Sequence, residues 1–455
     1  MKKHKRSTFS GKLGFVLSAA GASVGLGNIW RFPYLAAKYG GGIFLLVYII
    51  LALTFGYTLI MAETSLGRMT RKSPVGAFES FGNSRFISIG GWINAIIPIL
   101  IVPYYSVIGG WVIKYLIEYF AGHSKTLAGD AYFTTFISNG WSTEICFIIF
   151  TLFTLGIIYA GVRNGIERVS KFMMPILIVL SLIIAVYSVT RPGAIEGVKY
   201  FLVPNFDHFS WMTVVSAMGQ MFYSLSIAMG ILITFGSYMK KDTSIEKSTE
   251  NVEIFDTAIA IMAGLMIIPA VFAFSGGNAE TLKSGPALMF ITIPKVFANM
   301  GFGTAIGIVF FLLVLFAAVT SSIALTESAV STFEDELHWS RRKSTVFMGV
   351  IMILLGTLSC LGYGPLANFK ILGMQFLDFF DFMTNSVMMP IAAIATCLLI
   401  SKVVGVEKLE AEITKDGQPF KRKAIFCFMI KYLCPIFAAI ILISSVANAF
   451  GIITM

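Results

Sequence analysis

Long apolar stretches recur along this chain, separated by short polar ones. A helix needs about 20 mainly apolar residues to cross the hydrocarbon core of a bilayer. On that measure the pattern predicts eleven spans: 11–37, 41–67, 87–120, 141–162, 167–189, 211–239, 252–275, 300–335, 344–363, 369–401 and 424–449. The longest polar stretches, at 121–140, 190–210 and 402–423, are loop-sized and leave no room for a soluble domain. Segment 277–298 is amphipathic and too short to span, so it reads as a loop carrying a helical piece.

Two spans break the pattern from within. The first holds Gly14, Gly21, Gly25 and Gly27 around AAGASVGLGNIWRFPY, and the sixth holds Gly219, Gly230 and Gly236 around GQMFYSLSIAMG. Glycine and serine inside an apolar span weaken the helix and leave backbone groups unpaired. In a bilayer such backbone survives only where it lines a polar cavity. The two interrupted spans are the first and the sixth, each opening a group of five. Interrupted helices in corresponding positions of two halves point to the binding site of a secondary transporter. Tight helix packing through small residues is the plainer alternative, but it does not explain Asn28 and Arg31 in one span or Ser224 and Ser226 in the other.

Composition agrees with a membrane protein. Of 455 residues, 56% are hydrophobic and 13% charged, and the mean hydropathy is +0.82. The net charge of +10 would suit a nucleic-acid partner if it formed a patch. Instead the lysines and arginines gather in alternate loops, around Lys2–Lys12, Arg68–Arg85, Arg163–Lys171, Lys240–Lys247, Arg341–Lys343 and Lys402–Lys423. This is the positive-inside distribution. It predicts a cytoplasmic N-terminus and, with eleven spans, a C-terminus outside the cell membrane; nucleic acid is not a partner. The first apolar stretch lacks a small-residue cleavage site, so no removable signal peptide is expected. Five cysteines fall in apolar segments without metal or disulfide spacing and read as buried thiols. The four histidines lie in loops or tails, with no nucleophile–base constellation for an enzyme, and nothing repeats as the ring of a channel pore would.

The motif GASVGLGNIWRFPY at 21–34 closely resembles the first-helix signature of the neurotransmitter:sodium symporters. GQMFYSLSIAMG at 219–230, TSSIA at 320–324, FEDEL at 333–337 and LDFFDF at 377–382 follow in the family's order. The resemblance implies an all-α LeuT-type fold with inverted five-helix repeats over 11–189 and 211–401, an additional helix at 424–449, and helices 1 and 6 unwound. It implies sodium-coupled symport of a small molecule in a lipid bilayer, with two Na+ sites. No residue pattern bears on oligomeric state.

By the same resemblance, N–H groups at Leu26 and Gly27 face a substrate carboxylate, which also suits a helix N-terminus. Carbonyls at Ala22, Ser23 and Tyr223 face its ammonium. Gly25 stands where amine-carrying members have Asp, which leaves room for an amino acid's own carboxylate. Ile101, Tyr105, Tyr223, Ser226, Met229, Ser321 and Leu325 form the walls, with Ser224 beside them. The flexible Met229 thioether accommodates a bulky partner, so large hydrophobic or aromatic amino acids are expected. The first ion site takes Ser23, Asn28, Ser224 and, close by, Asp256. The second takes carbonyls of Gly21, Val24 and Ala317 with hydroxyls of Thr320 and Ser321. Oxygen ligands of this kind suit a hard cation.

Chloride-dependent members hold the anion with a Tyr, a Gln and serines. This chain keeps Tyr48, Gln220 and Ser224 but has Ala260 where a serine is expected. Asp256 is expected to supply a fixed negative charge instead, which makes transport chloride-independent. Gates are expected from Arg31 with Asp381, near Asp378, and from Arg6 with Asp335, capped by Tyr238. Phe9 replaces the family's tryptophan as an apolar plug without an indole N–H. Gly165 and Pro175 mark a stretch of the fifth span that is either able to unwind or simply kinked, as prolines in membrane helices often are. Glu63 reads as a structural acid bound to backbone donors. Glu327, seven residues after Thr320 and on the same face of its helix, reads either as part of the inward ion path or as a structural acid.

Overall fold

The computed structural model describes residues 6–276 and 285–452. Among these residues no strand forms; isolated bridges join Gly41 to Pro204 and Ile371 to Met374. Nine continuous helices are long and apolar enough to cross a membrane: Gly42–Thr70, Arg85–Phe120, Gly140–Tyr159, Val162–Val189, Ile245–Ser275, Gly303–Glu336, Arg341–Leu361, Phe376–Val404 and Lys423–Ala449. A tenth span is a bent pair, Lys12–Ser23 and Gly27–Lys38, whose halves meet at 53°. The expected sixth span, 211–239, is made of two shorter helices. Its halves, Trp211–Ser224 and Ile231–Tyr238, are separated by the non-helical Leu225–Gly230. Ten of the expected eleven spans are thus met by length and hydropathy, and the first and sixth elements are interrupted as expected.

Two span starts differ most from the sequence pattern. The seventh span begins at Ile245, not 252, because Ser244 caps it and accepts from the Lys247 N–H at 3.3 Å. Its polar first turns are buried against protein, so they carry no apolar signal. The tenth span begins at Phe376, not 369, because a tight turn with positive φ at Leu372 and Gly373 comes first. Of segment 277–298, residues 277–284 lie outside the described part, and Leu288–Ala298 is the expected short helix.

The third and eighth spans pack along each other at the centre, with 78% and 72% of their most apolar stretches buried by protein; for the eleventh span the figure is 33%. The first half of the first span, Lys12–Ser23, wedges between the fifth, seventh and eighth. Peripheral spans turn apolar side chains outward, as lipid contact requires. Trp141, Trp211, Phe206, Phe302 and Phe369 are exposed near helix ends, where aromatic rings favour the bilayer interface. The face bearing Arg6, Arg71, Lys240, Arg341 and the loop before the last span is called the basic face below, and its opposite the far face.

Candidate functional site

The two interruptions face each other. In the first span, Val24 turns extended (φ −73°, ψ 91°) and ends the lower helix. In the sixth, Ser226 and Ala228 adopt φ of 52° and 58°, and Gly230 one of 69°. Left-handed backbone is unfavourable for residues with a Cβ, so neighbours must hold it. Ser226 Oγ donates to the Ala22 carbonyl at 2.9 Å, and the Ala228 N–H donates to Glu63 Oε1 at 2.7 Å. Gly230 has no alternative: a Cβ there would lie 2.7 Å from the Asn94 carbonyl. Glu63, fully buried in the second span, therefore holds the break.

Between the breaks lies a cavity of about 30 Å³, lined by Ala22, Ser23, Gly25, Leu26, Gly27, Ile101, Tyr105, Tyr223, Ser226, Met229, Ser321 and Leu325. These are the residues the sequence assigns to substrate, except Ser224, which points away to Asp256. No lining side chain is charged. The Leu26 N–H donates to Tyr105 Oη at 3.3 Å. A Cβ at Gly25 would sit 2.7 Å from Ser321 Oγ, and one at Gly27 2.1 Å from the Tyr223 ring. The space is small for a ligand pocket.

Tyr223 also lines a second cavity of about 420 Å³ that opens toward the far face past Arg31, Tyr104, Asp378 and Asp381. Its ring thus stands between the two spaces. The expected Arg31–Asp381 ion pair is not formed. Asp381 instead accepts from Tyr104 Oη at 3.2 Å and Asn385 Nδ2 at 2.6 Å, while the Arg31 guanidinium lies 5.4 Å from the Tyr223 ring centroid.

The basic face is closed. Arg6 Nη1 donates to both oxygens of Asp335, at 2.6 and 2.8 Å, and its other nitrogens donate to Ser237 and Ser331. The guanidinium lies 4.9 Å from the Tyr238 ring centroid. Phe9 is buried edge-on among Phe15, Phe235 and Tyr238, and its N–H donates to the Tyr238 carbonyl at 3.1 Å. Backbone and ring contacts thus seat the plug without an indole.

Sequence reasoning missed Arg341 here, treating it only as loop charge. Arg341 donates to both oxygens of Glu327, at 2.5 and 3.1 Å, and Tyr238 Oη donates to Glu327 at 2.7 Å. With three donors, the Glu327 carboxylate is not a bare attractant for a departing cation, and the structural reading is favoured. Glu327→Gln should then lower thermal stability by about 2 kcal/mol, the order of a hydrogen bond to a charged group, and leave sodium affinity unchanged. A denaturation curve and a sodium titration check this; a large sodium shift with intact stability would restore the ion-path reading.

Two oxygen-rich spots flank the small cavity. At one, Ser321 Oγ lies 3.3, 3.1 and 3.4 Å from the carbonyls of Gly21, Ala22 and Val24, and Thr320 Oγ1 lies 3.1 Å from the Ala317 carbonyl. One hydroxyl proton cannot serve three carbonyls, so oxygen outnumbers donors there, which suits a cation. At the other, the fully buried Asp256 accepts from Asn28 Nδ2 at 2.8 Å, Ser224 Oγ at 2.8 and 3.0 Å and Tyr48 Oη at 3.1 Å. The carboxylate takes the place between Tyr48 and Ser224. Gln220 turns elsewhere, donating to the Gly27 carbonyl at 3.0 Å. In this geometry Asn28 meets Asp256 as a donor; a half-turn of its amide would present oxygen to a cation instead.

Comparison with known proteins agrees with this architecture. The model of the "Sodium:neurotransmitter symporter family" matches residues 6–146 and 134–452. An uncharacterised sodium-dependent transporter of Bacillus subtilis is 33% identical over 100% of both chains. One of Haemophilus influenzae is 31% identical over 97% of this chain and 98% of its own. The crystal structure of MhsT in complex with L-phenylalanine superposes with a TM-score of 0.87 at 34% identity, covering 97% of this chain and 100% of that one. The chain is therefore a multi-pass, sodium-coupled transporter, not an enzyme, and belongs to the sodium:neurotransmitter symporter family.

Proposed function

We propose that this transporter takes up large hydrophobic or aromatic L-amino acids together with sodium, by alternating access, without needing chloride. The observation that carries the reading is the uncharged cavity between the two breaks. An amine without a carboxylate would need a counter-charge, and Gly25 offers none. A zwitterion brings its own: its carboxylate suits the N–H groups at Leu26 and Gly27, and its ammonium the carbonyls at Ala22, Ser23 and Tyr223. Ile101, Met229 and Leu325 present an apolar wall to the side chain. The likeness to MhsT bound to L-phenylalanine supports the same class.

The first sodium ion takes Ser23, Asn28, Ser224 and the substrate carboxylate, with Asp256 as the adjacent fixed charge. The second takes Gly21, Val24, Ala317, Thr320 and Ser321. The basic face is cytoplasmic in the cell membrane, and the far face, where the last span ends, is outside. The halves 11–189 and 211–401 form the two repeats, with Arg6–Asp335 closing the cytoplasmic side and Arg31–Asp381 closing the outer side once substrate has passed Tyr223.

The test is sodium-gradient-driven uptake in proteoliposomes, followed by competition among the twenty amino acids. Trp, Tyr, Phe and Leu should compete best; preference for small polar amino acids or amines would overturn the substrate assignment. Met229→Phe should narrow the wall and shift preference from aromatic toward aliphatic side chains by about tenfold, since apolar shape discriminates by only about 1–3 kcal/mol. Unchanged relative affinities for Trp, Tyr and Leu would show that Met229 does not face the substrate.

A further inference from the structure

The proposed mechanism leaves several buried charged groups on the basic face unused, and among the described residues three of them act together. Arg68, Glu246 and Glu253 are 2%, 1% and 3% exposed. Burying charge is costly and is weak evidence for stability alone. All three are bound to one segment, the connection 405–422 between the tenth and eleventh spans.

The contacts form a strap. Arg68, on the second span, donates to Glu412 Oε1 at 2.8 Å, to the Glu412 carbonyl, and to the Thr243 carbonyl at 2.6 Å. Glu246, at the start of the seventh span, accepts from the backbone N–H groups of Lys421 and Arg422 at 2.7 and 3.2 Å, and from Tyr57 Oη of the second span at 3.0 Å. Arg422 then inserts between the two spans. It donates to both oxygens of Glu253 at 3.1 and 3.3 Å, reaches the Leu53 carbonyl at 3.5 Å, and stacks 4.6 Å from the Tyr57 ring centroid. Leu53 lies in a π-helical turn, Ala52–Gly56. Such turns disturb the regular backbone ladder and recur at functional sites.

Glu253 lies three residues before Asp256, one turn along the same helix face and about 4.5 Å along the axis. The second span runs antiparallel beside it and pairs twice with the seventh, Tyr57 with Glu246 and Tyr48 with Asp256. Fixing Glu253 and Glu246 therefore fixes the height and rotation at which the seventh span presents Asp256 to Asn28 and Ser224.

We propose that the 405–422 strap, through Arg422–Glu253 and Glu246, is a positioning device for the first sodium site. This rests on the assignment of that site made above. The strap touches neither ion nor substrate; it acts by holding Asp256 in place.

Sodium-dependent uptake in proteoliposomes tests it. Arg422→Gln and Glu253→Gln should each raise the half-saturating sodium concentration about fivefold or more, while substrate affinity at saturating sodium stays within twofold of the parent. The reversed pair, Glu253→Arg with Arg422→Glu, should recover most of the loss. By linkage, sodium bound to the parent should in turn slow amide hydrogen exchange in 414–422, a measurement that needs no variant to fold. Sodium dependence unchanged in folded single variants overturns the proposal, as does the absence of sodium protection in the strap. A parent that shows no sodium dependence would instead fail the functional assignment itself.

Discussion

Asp256→Asn is expected to lose sodium-driven uptake by about a hundredfold in chloride-free buffer and to regain part of it when chloride is added. The parent should work equally in chloride and gluconate. Asn28, Ser224 and Tyr48 all point hydrogens at the Asp256 carboxylate in a fully buried site. Asparagine keeps the shape but offers its own N–H₂ to donors already there and removes the charge that balances a nearby cation. Hydrogen bonds to charged groups are worth about 1.5–3 kcal/mol each, so a loss of about 3 kcal/mol, two decades in rate or affinity, is the expected scale. Chloride is the natural complement because a monovalent anion can restore the charge beside Tyr48 and Ser224. Ala260, which offers no hydroxyl, is why recovery should be partial. Asp256→Asn transporting at the parental rate in gluconate would sink the fixed-charge reading.

Asp335→Asn should hold the basic face open. Arg6 ties the N-terminal segment to the sixth span through Ser237 and to the eighth through Ser331 and Asp335, and Asp335 also accepts from the Ser73 N–H at 2.7 Å. Replacing the two-oxygen ion pair by a neutral amide removes about 2–3 kcal/mol from the closed state. That shifts a two-state equilibrium by about 30- to 150-fold. Uptake should fall by more than tenfold, because the open far face that loads substrate is depopulated. A cysteine at Ala22, probed with a membrane-impermeant thiol reagent from the basic side, should react faster by a similar factor. Equal labelling in parent and variant would show that the Arg6 cluster is a surface feature and not the gate.

Much of this was legible in the sequence because it rests on local signals. Spans announce themselves by length and hydropathy, and the breaks by glycines among polar residues. The cavity lining came from the family resemblance, carried over position by position, and not from local signals or packing. What escaped were side chains whose importance is wholly tertiary. Arg341 looks like any loop cation until the fold brings it to Glu327, and Glu246 and Glu253 look like the solvated lead-in to a helix until the strap covers them. The missed start of the seventh span has the same cause, since hydropathy cannot distinguish polar residues facing water from polar residues facing protein. Arg31 and Asp381 show the converse. Their positions were readable, but not that packing gives Asp381 to Tyr104 and Asn385 and leaves Arg31 beside the Tyr223 ring.

The Glu63–Ala228 bond also constrains how the protein is made. Its two partners are 165 residues apart in the chain. At about 5–20 residues per second of synthesis, the carboxylate waits roughly 8–30 s for the amide that it will finally hold. An acid without a partner is costly in lipid during that interval. Until the sixth span emerges, the Glu63 carboxyl is expected to stay hydrated or to take up a proton. The support of the sixth-span break is in this sense completed late, by a contact that the first five helices alone cannot make.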